Sequence, residues 1–423
     1  MLLVFIISLF YLILASFINI NWIHEIAAYF GYPLAIYLVV FVALIPGFIY
    51  IFTLISILII KRKKQNNIKS NCNVTILIPV YNAMNSINKT IESILCQKYC
   101  GKINIIVIDD GSTDKSLEIL KKLSQKSLIT LLEKEHKGKS YALNEGLNHV
   151  KTEYVITVDS DTILHPLAIQ FIMNKIVNSK KDVVATAGSI FVQNDRESFV
   201  TKLQQWDYTL GIFGVKLYQG NYDSTLVAQG AFSVYKTKAI KEINGWQDCV
   251  GEDIVLTWSL LAKGYKVNFA KNAIAFTESP KTFKLLFKQR KRWARGMIEA
   301  FKKVNIITAK KLNIKSRFLM CMNLFFPFID LAILIFIPLG LIFLSFNNQM
   351  LMGWLTLLVI LLGMILCLVI EIKRKNVFKT IDCKIERRSK IAFVVYALLY
   401  AFILAPSCLI GYIKELINVK KEW

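Results

Sequence analysis

The sequence has few cysteines and no arrangement of them that builds a site. Eight cysteines are scattered over 423 residues, and Cys96 and Cys100 form the only close pair in the middle of the chain. No second pair follows at the spacing of a zinc site, and a chain of this length needs no disulfide framework. We therefore expect reduced thiols, not a zinc site or a cross-linked scaffold.

Acidic residues are also scarce, because 29 Asp and Glu stand against 52 Lys and Arg, a formal net charge of +23. The basic residues cluster beside apolar runs, at 61–64, 310–317 and 373–390. Membrane proteins concentrate Lys and Arg in cytoplasmic loops in this way. No basic stripe interleaves with aromatic residues, as binding to single-stranded nucleic acid requires. We expect a lipid bilayer as a partner, and no nucleic acid.

The apolar residues are concentrated at the two ends of the chain and predict three regions. Residues 1–60 hold two transmembrane helices, 1–20 and 33–60, each long enough to cross a bilayer. The first has no basic start and no cleavage site, so we expect an anchor and not a signal peptide. The segment 21–31 between them is expected to be an external loop. The basic run 61–64 would then place residues 61–315 in the cytoplasm, with interfacial helices near 281–315.

Residues 316–423 predict a C-terminal membrane region of about three helices. The runs 351–370 and 391–413 are clear spans, whereas 318–346 contains two prolines and Asp330. The basic loop 371–390 is expected inside. Five spans would leave the tail 414–423 outside although it carries lysines, and the sequence leaves that conflict open. We expect a multi-pass protein of the inner (plasma) membrane.

The middle of the chain has the pattern of an α/β domain. Apolar, β-rich runs at 74–80, 103–108 and 154–158 alternate with helical patterns at 86–95, 117–123 and 140–150. Such alternation predicts a mostly parallel sheet, and ligands bind outside the carboxyl ends of its strands.

Acidic clusters fall at two of these strand ends. Asp110, in IDDGSTD, can accept from a nucleobase or a ribose hydroxyl, or it belongs to a plain turn before a helix that begins at Thr113 or Asp114. Asp159 and Asp161 lie two apart and share a face of an extended strand. They suit Mg²⁺ or Mn²⁺ with substrate phosphates, or they belong to a solvated loop.

Two further motifs follow. Glu252 and Asp253 precede a helical pattern at 254–262, as helix caps or as a base aimed into a cleft. Gln289, Arg292 and Trp293 share one helix face, which either clamps a diphosphate and stacks on a sugar or lies on lipid. Together, in this order and between membrane segments, the motifs indicate transfer of a sugar from a nucleotide.

The chain resembles the processive family 2 glycosyltransferases, which include the cellulose, chitin, hyaluronan and poly-N-acetylglucosamine synthases. The motif set "D, DxD, ED, QxxRW" is present as Asp110, Asp159-x-Asp161, Glu252-Asp253 and Gln289-x-x-Arg292-Trp293. Gly138-Lys139 and Gln229-Gly230-Ala231 also match family segments near the nucleotide and the acceptor. The membrane layout most resembles the bacterial poly-β-1,6-N-acetylglucosamine synthases.

The resemblance implies an α/β nucleotide-sugar-binding domain of GT-A type with a mostly parallel sheet, flanked by transmembrane helices. It implies an inverting transfer in which Asp253 is the base and Glu252 supports it. Asp161, with Asp159, would hold Mg²⁺ or Mn²⁺. The residues implied to bind the UDP-sugar donor or the growing glycan are Tyr81, Asp110, Lys139, Asp159, Gln289, Arg292 and Trp293.

The resemblance leaves the sugar and the linkage open. Poly-β-1,6-N-acetylglucosamine made from UDP-GlcNAc, with help in its export, is the favoured product. A cellulose, chitin or hyaluronan type of synthase is the alternative, as is a non-processive transferase acting on a lipid carrier. A transporter or scaffold with an inactive transferase domain predicts a broken acidic motif, and none is broken here. A small membrane accessory subunit is expected by analogy.

Overall fold

The structure is a computed structural model that describes residues 1–59, 69–347 and 353–420. The basic run 61–64, on which the predicted orientation depends, lies outside these ranges. Within them, eight strands form one sheet. The strands are β1 Val74–Val80, β2 Ile103–Asp110, β3 Thr130–Lys134, β4 Tyr154–Val158, β5 Thr162–Leu164, β6 Val183–Val192, β7 Phe232–Lys236 and β8 Lys266–Thr277.

The helices of the middle region cover this sheet or extend it toward the membrane helices. They are α5 Ile87–Leu95, α6 Ser116–Gln125, α7 Lys139–Asn148, α8 Ala168–Val177, α9 Phe199–Asp207, α10 Val215–Asn221, α11 Thr237–Glu242, α12 Glu252–Ala262 and α13 Phe283–Lys303. A π-helical segment, Tyr208–Gly214, joins α9 to α10.

The sheet order is β3-β2-β1-β4-β7-β6-β8-β5. The pairs among β1, β2, β3 and β4 are parallel, which confirms the parallel half predicted from the apolar runs. β7 runs antiparallel to both β4 and β6, whereas β6 and β8 are parallel. The sheet is therefore mixed and mostly parallel, and the predicted fold class is confirmed.

Every residue of β1 and β4 is buried, as expected for strands covered on both faces. Both strands have the predicted bounds. β2 continues two residues further than predicted and includes Asp109 and Asp110. The predicted start of α6 at Thr113 or Asp114 is wrong, because Asp114 accepts a hydrogen bond from the backbone N–H of Ser116 (2.9 Å) and the helix begins there.

The remaining helices are long and apolar. They are α1 Leu2–Ile18, α2 Ile20–Phe30, α3 Tyr32–Val39, α4 Ile45–Leu58, α14 Ile314–Asn323, α15 Phe326–Asn347, α16 Trp354–Thr380 and α17 Lys390–Leu416. A π-helical turn, Val40–Leu44, makes α3 and α4 continuous. In the described residues, four helical segments are long and apolar enough to cross a membrane, and a fifth counts if the bent pair of α1 and α2 is one span. The four are Tyr32–Leu58, Ile314–Phe343, Trp354–Thr380 and Lys390–Leu416.

Two expectations about the membrane regions are wrong. Segment 21–31 is not a loop, because α2 occupies most of it at 55° to α1. The bend lies at Asn19, whose side-chain amide donates to the carbonyl of Ala15 (2.6 Å). The basic loop 371–390 begins only after Thr380, because α16 continues through a buried ion pair between Glu371 and Arg374 (2.7 Å).

The middle region is packed directly on the C-terminal helices. A Cβ on Gly411 of α17 would lie 2.5 Å from the carbonyl oxygen of Lys291 on α13. The two helix backbones therefore approach closely. Helix α13, which carries the Gln289–Trp293 motif, is held between the sheet domain and the last apolar helix.

Candidate active site

Lys139 joins two of the predicted motifs. Its ammonium nitrogen lies 2.6 Å from Asp159 Oδ1 and 3.1 Å from Glu252 Oε1. Burial alone would lower the pKa of Lys139, but the two carboxylates raise it. The strand end that carries Asp159 and the helix start that carries Glu252 therefore face each other across one cation, as a shared site requires.

Gly230 lies at the same point. A Cβ there would be 2.7 Å from Lys139 Nζ and 3.6 Å from Asp159 Oδ1. A side chain at this position would displace the lysine tip from its place between the two carboxylates. The Gln229-Gly230-Ala231 segment, which the resemblance assigns to the acceptor, thus lies beside Lys139, which the resemblance assigns to the nucleotide.

Asp161 is half-buried beside this group and held by two hydroxyls. Its Oδ1 accepts from Thr277 Oγ1 (3.0 Å) and Thr162 Oγ1 (3.2 Å). Burial, and next the charge of Asp159, raise the pKa of Asp161 to about 6. Two carboxylates with this mutual repulsion provide a place where added positive charge is favourable.

Asp253 lies at the first turn of α12. Its Oδ1 accepts from the N–H of Ile254 (2.7 Å), and its backbone carbonyl accepts from Thr257 Oγ1 (2.6 Å). Burial, and next the charge of Glu252, raise its pKa to about 6. A carboxylate with a pKa near the working pH suits a general base.

Lys216 is a residue that the sequence reasoning missed. It is 5% exposed on α10, and burial lowers its pKa to about 7, while the charge of Asp253 opposes that shift. The sequence feature that could have identified it is a single lysine inside the apolar run 208–222. It contributes to the charge that surrounds Asp253.

Asp110, which the resemblance assigns to the nucleotide, orders a turn of the chain. Its carboxylate accepts from the backbone N–H groups of Lys137 (3.0 Å) and Gly138 (2.9 Å) and contacts His136 Nδ1 (2.9 Å). These bonds order the turn that leads into Lys139. Tyr81 stacks on the His136 ring at 4.1 Å between centroids, so both predicted nucleotide residues meet at this turn.

Of the two arginines within the Gln289–Trp293 motif of α13, Arg290 is buried and Arg292 is not. Arg290 pairs with Asp207 (2.5 Å), which also accepts from Tyr400 Oη (3.3 Å) on α17. The Arg290 guanidinium lies 3.9 Å over the Trp293 ring. Arg292 is exposed, and Gln289 is half-buried beside Tyr208. The helix thus has a structural arginine that fixes Trp293 and an accessible one that is available to a ligand.

A second contact ties α13 to α12. Glu299 Oε2 accepts from the backbone N–H groups of Val250 (2.8 Å) and Gly251 (3.3 Å). The Glu252–Asp253 and Gln289–Trp293 motifs are therefore parts of one rigid corner. Sequence reasoning did not identify Glu299, since a glutamate near a helix end has no distinctive pattern.

The residues present fit a divalent cation only in part. No group of three or more His, Cys, Asp or Glu side chains suited to a metal occurs among the described residues. Asp159 and Asp161 supply two carboxylates of the kind that Mg²⁺ and Mn²⁺ prefer. Such ions usually take their other ligands from water and substrate phosphates, so the pair fits a metal that arrives with a nucleotide.

The chain matches known proteins over part of the middle region. Residues 75–244 match the family model described as Glycosyl transferase family 2. Poly-beta-1,6-N-acetyl-D-glucosamine synthase of Staphylococcus aureus (strain MSSA476) is 29% identical over 239 residues, which are 56% of this chain and 57% of the relative. The Staphylococcus epidermidis enzyme of that name is 29% identical over 245 residues, 57% of this chain and 59% of the relative. The alignments thus span less than two thirds of these curated relatives.

One solved structure is similar over nearly the whole chain. It is a mannosyltransferase from Pyrobaculum calidifontis in complex with GDP-Man and Mn²⁺. The TM-score is 0.63 at 16% identity, and the match covers 92% of this chain and 99% of the other. It supports the fold alone. The resemblance drawn from the motifs, and with it the expectation of a glycosyltransferase domain, is confirmed.

Proposed function

We propose that the chain is a membrane-bound, inverting glycosyltransferase that polymerises a β-linked glycan, because residues 75–244 match the glycosyltransferase family 2 model. The proposed donor is UDP-GlcNAc and the proposed product is poly-β-1,6-N-acetylglucosamine, the product named for the staphylococcal relatives. The observation that carries the proposal is Lys139, which brings Asp159 within 2.6 Å and Glu252 within 3.1 Å of one ammonium group.

Asp253 is the proposed base. It removes the proton from the acceptor hydroxyl as that oxygen attacks the anomeric carbon of the donor sugar, and the bond from this carbon to the diphosphate oxygen breaks. UDP leaves with the electron pair. A single displacement of this kind inverts the anomeric configuration. Glu252 supports the base by holding Lys139, whose charge favours the ionised form of Asp253.

The donor is held at the turn below Lys139. Tyr81 and His136 offer a stacked aromatic surface to the nucleobase of the donor. Asp110 orders the turn through the N–H groups of Lys137 and Gly138. Asp161 and Asp159 would hold Mg²⁺ or Mn²⁺, which when bound neutralises charge on the diphosphate. Arg292, exposed on α13, would contact the same diphosphate.

The acceptor glycan is proposed to stack on Trp293. Trp293 is 39% exposed, and the Arg290 guanidinium lies 3.9 Å from its ring. Gln289 lies one turn earlier on the same helix. Because α13 packs against α17, a glycan that leaves Trp293 meets the apolar helices at once. This proximity supports export of the product by the same chain, from a cytoplasmic catalytic domain across the plasma membrane. A small accessory subunit stays an expectation from the resemblance.

A donor screen tests the proposal. Membranes that contain the chain receive labelled UDP-GlcNAc or UDP-glucose with Mg²⁺ or Mn²⁺, and the product is sized and digested with linkage-specific hydrolases. A long polymer from UDP-GlcNAc that a β-1,6-specific hydrolase cuts is expected. A polymer from UDP-glucose would keep the mechanism and overturn the substrate. A single sugar on a lipid would favour the non-processive alternative.

A further inference from the structure

The transfer centre is the group formed by Lys139, Asp159, Asp161, Glu252 and Asp253. A cavity of about 280 Å³ lies beside it, where the segment 381–389 crosses the carboxyl ends of β6 and β8. At about 30 Å³ for each water molecule it has room for roughly nine, which is the scale of one sugar unit. Ligands in open α/β sheets bind at this end of the strands. None of the sequence motifs lies in its lining.

One wall of the cavity is aromatic. Phe191 and Phe378 meet edge to face at 5.0 Å between ring centroids, and Phe276 and Phe378 meet similarly at 6.4 Å. These rings come from β6, β8 and α16. Phe191 and Phe378 are each 3% exposed, so the packed rings offer the cavity a small apolar surface, against which the C–H face of a pyranose ring can lie.

Other lining residues are polar and carry planar hydrogen-bonding groups. Gln193, Asp195 and Gln205 line the cavity, and the Gln205 side-chain amide donates to Asp195. The Gln193 backbone N–H donates to the carbonyl of Thr277 (2.9 Å). This bond fixes the backbone at the wall of the cavity. Amide and carboxylate groups of this kind pair with sugar hydroxyls.

The cations around the cavity are held by carboxylates of the protein. Arg374 and Arg388 contact Glu371 at 2.7 Å and 3.0 Å, and Lys375 lies 3.9 Å from it. Arg196 and Lys384 contact Glu386 at 2.7 Å and 3.7 Å. Because each of these cations already has a carboxylate partner, a neutral polyhydroxyl ligand can bind beside them without displacing an ion pair.

The cavity adjoins the transfer centre. A narrow cleft, too tight for a water molecule, has Asp161 in its lining and shares Ile163 and Gln193 with the cavity. A sugar in the cavity would therefore lie close to the carboxylate pair proposed to hold the metal ion.

We propose that this cavity is a sugar-binding subsite that holds one neutral unit of the glycan beside the transfer centre, with the segment 381–389 as its wall. The inference rests on the proposed function for the identity of that glycan. The residues proposed to hold the sugar unit in the cavity are Gln193, Asp195, Gln205 and the three phenylalanines.

Thiol protection measures occupancy without enzyme turnover. Cys383 is half-buried in the cavity wall, whereas Cys96 is exposed elsewhere. The full chain in detergent is treated with methyl methanethiosulfonate at alkaline pH, since burial raises the pKa of Cys383. A β-1,6-linked N-acetylglucosamine oligosaccharide should slow labelling of Cys383 several-fold and leave Cys96 unchanged. Equal labelling of Cys383 with and without the sugar would overturn the subsite.

Matched variants add a functional readout. Gln193→Leu keeps the side-chain volume and removes the amide, so protection of Cys383 should be lost and the KM for an added acceptor oligosaccharide should rise, with the KM for the donor unchanged. Arg387→Gln, exposed in the same segment and outside the lining, should behave as the unsubstituted chain. Wild-type values for Gln193→Leu would also overturn the subsite. Absence of transfer by the unsubstituted chain would instead overturn the proposed function, and the thiol experiment would still decide the subsite.

Discussion

Gly251 and Gly296 meet backbone to backbone. A Cβ on Gly296 would lie 2.8 Å from the Cα of Gly251, at the point where the start of α12 rests on α13. The proposed base follows two residues after Gly251, and Trp293 precedes Gly296 by one turn. The close approach therefore sets the distance between the base and the proposed acceptor platform.

The variant Gly296→Ala should separate these helices. We expect a loss of stability of about 1–3 kcal/mol, as for overpacking of a filled site, and a fall in transfer rate larger than that loss explains. Thermal unfolding and initial rates measure the two effects. Gly340→Ala is the matched control, because, apart from its own helix backbone, no atom of the described residues lies within 4 Å of its added Cβ. Normal transfer by Gly296→Ala would refute the role of the contact.

The two arginines of the Gln289–Trp293 motif should give opposite phenotypes. Arg290→Met removes one partner of a buried ion pair with Asp207, so it should destabilise the fold by roughly 3–5 kcal/mol. Arg292→Met should leave stability unchanged and weaken binding of UDP, because Arg292 is exposed. Unfolding curves and UDP titration distinguish the two. Equal loss of stability in both variants would contradict the assignment.

Features of the fold that depend on neighbouring residues in the chain could be predicted from the sequence. Features that depend on contacts between distant residues could not. The strands 74–80 and 154–158 were predictable because buried strands need local apolar runs. β8 was not, since exposed Lys271 interrupts its apolar pattern. The pairing of Arg290 with Asp207 joins residues 83 apart, and no local pattern reveals it. The meeting of Gly251 with Gly296 depends on helix packing in the same way.

Lys139 illustrates the opposite case. The resemblance placed it near the nucleotide, and the structure adds what the motif alone did not contain, namely its two carboxylate partners. For Asp110 the resemblance indicated a nucleotide contact, while the structure shows its bonds to the turn at 136–138. Side-chain partners outside the motifs were beyond the reach of one sequence.

Metal binding should depend on Asp161. Titration of Mn²⁺ in the presence of UDP, followed by electron paramagnetic resonance, should show binding to the unsubstituted chain and a loss of about tenfold or more for Asp161→Asn, since even supporting residues of metal sites give losses of that size. Asp182→Asn is the control, because Asp182 pairs with Lys266 (2.5 Å) away from the site. Unchanged Mn²⁺ affinity in Asp161→Asn would exclude that carboxylate as a ligand.

The rate of transfer should fall in acid. Asp253 acts as a base only when ionised, and its pKa is raised to about 6 by burial and by Glu252. The rate at saturating donor should therefore be constant above about pH 7 and decline as the pH passes through about 6. The interacting carboxylates titrate as a set, so the donor KM is followed in parallel. A rate independent of pH from 7 to 5 would contradict a raised pKa.

The same shift has a consequence for stability. A carboxyl group whose pKa is higher in the folded state than in the unfolded state destabilises the fold once it is ionised, and this penalty develops as the pH rises from about 4 to about 6. Asp253→Asn should therefore unfold at a higher temperature than the unsubstituted chain at neutral pH, with the difference vanishing in acid. A lower unfolding temperature at neutral pH would show that the ionised carboxylate stabilises the fold.

The most direct test of the central claim is transfer by Asp253→Asn set beside its affinity for UDP. The amide keeps the shape of the side chain and cannot take the proton, so transfer should fall by about 10²–10⁴-fold while UDP binds as before. Asp248→Asn, in the loop just before α12, should retain both. Transfer near the normal rate by Asp253→Asn would contradict the assignment of the base, and with it the proposed mechanism.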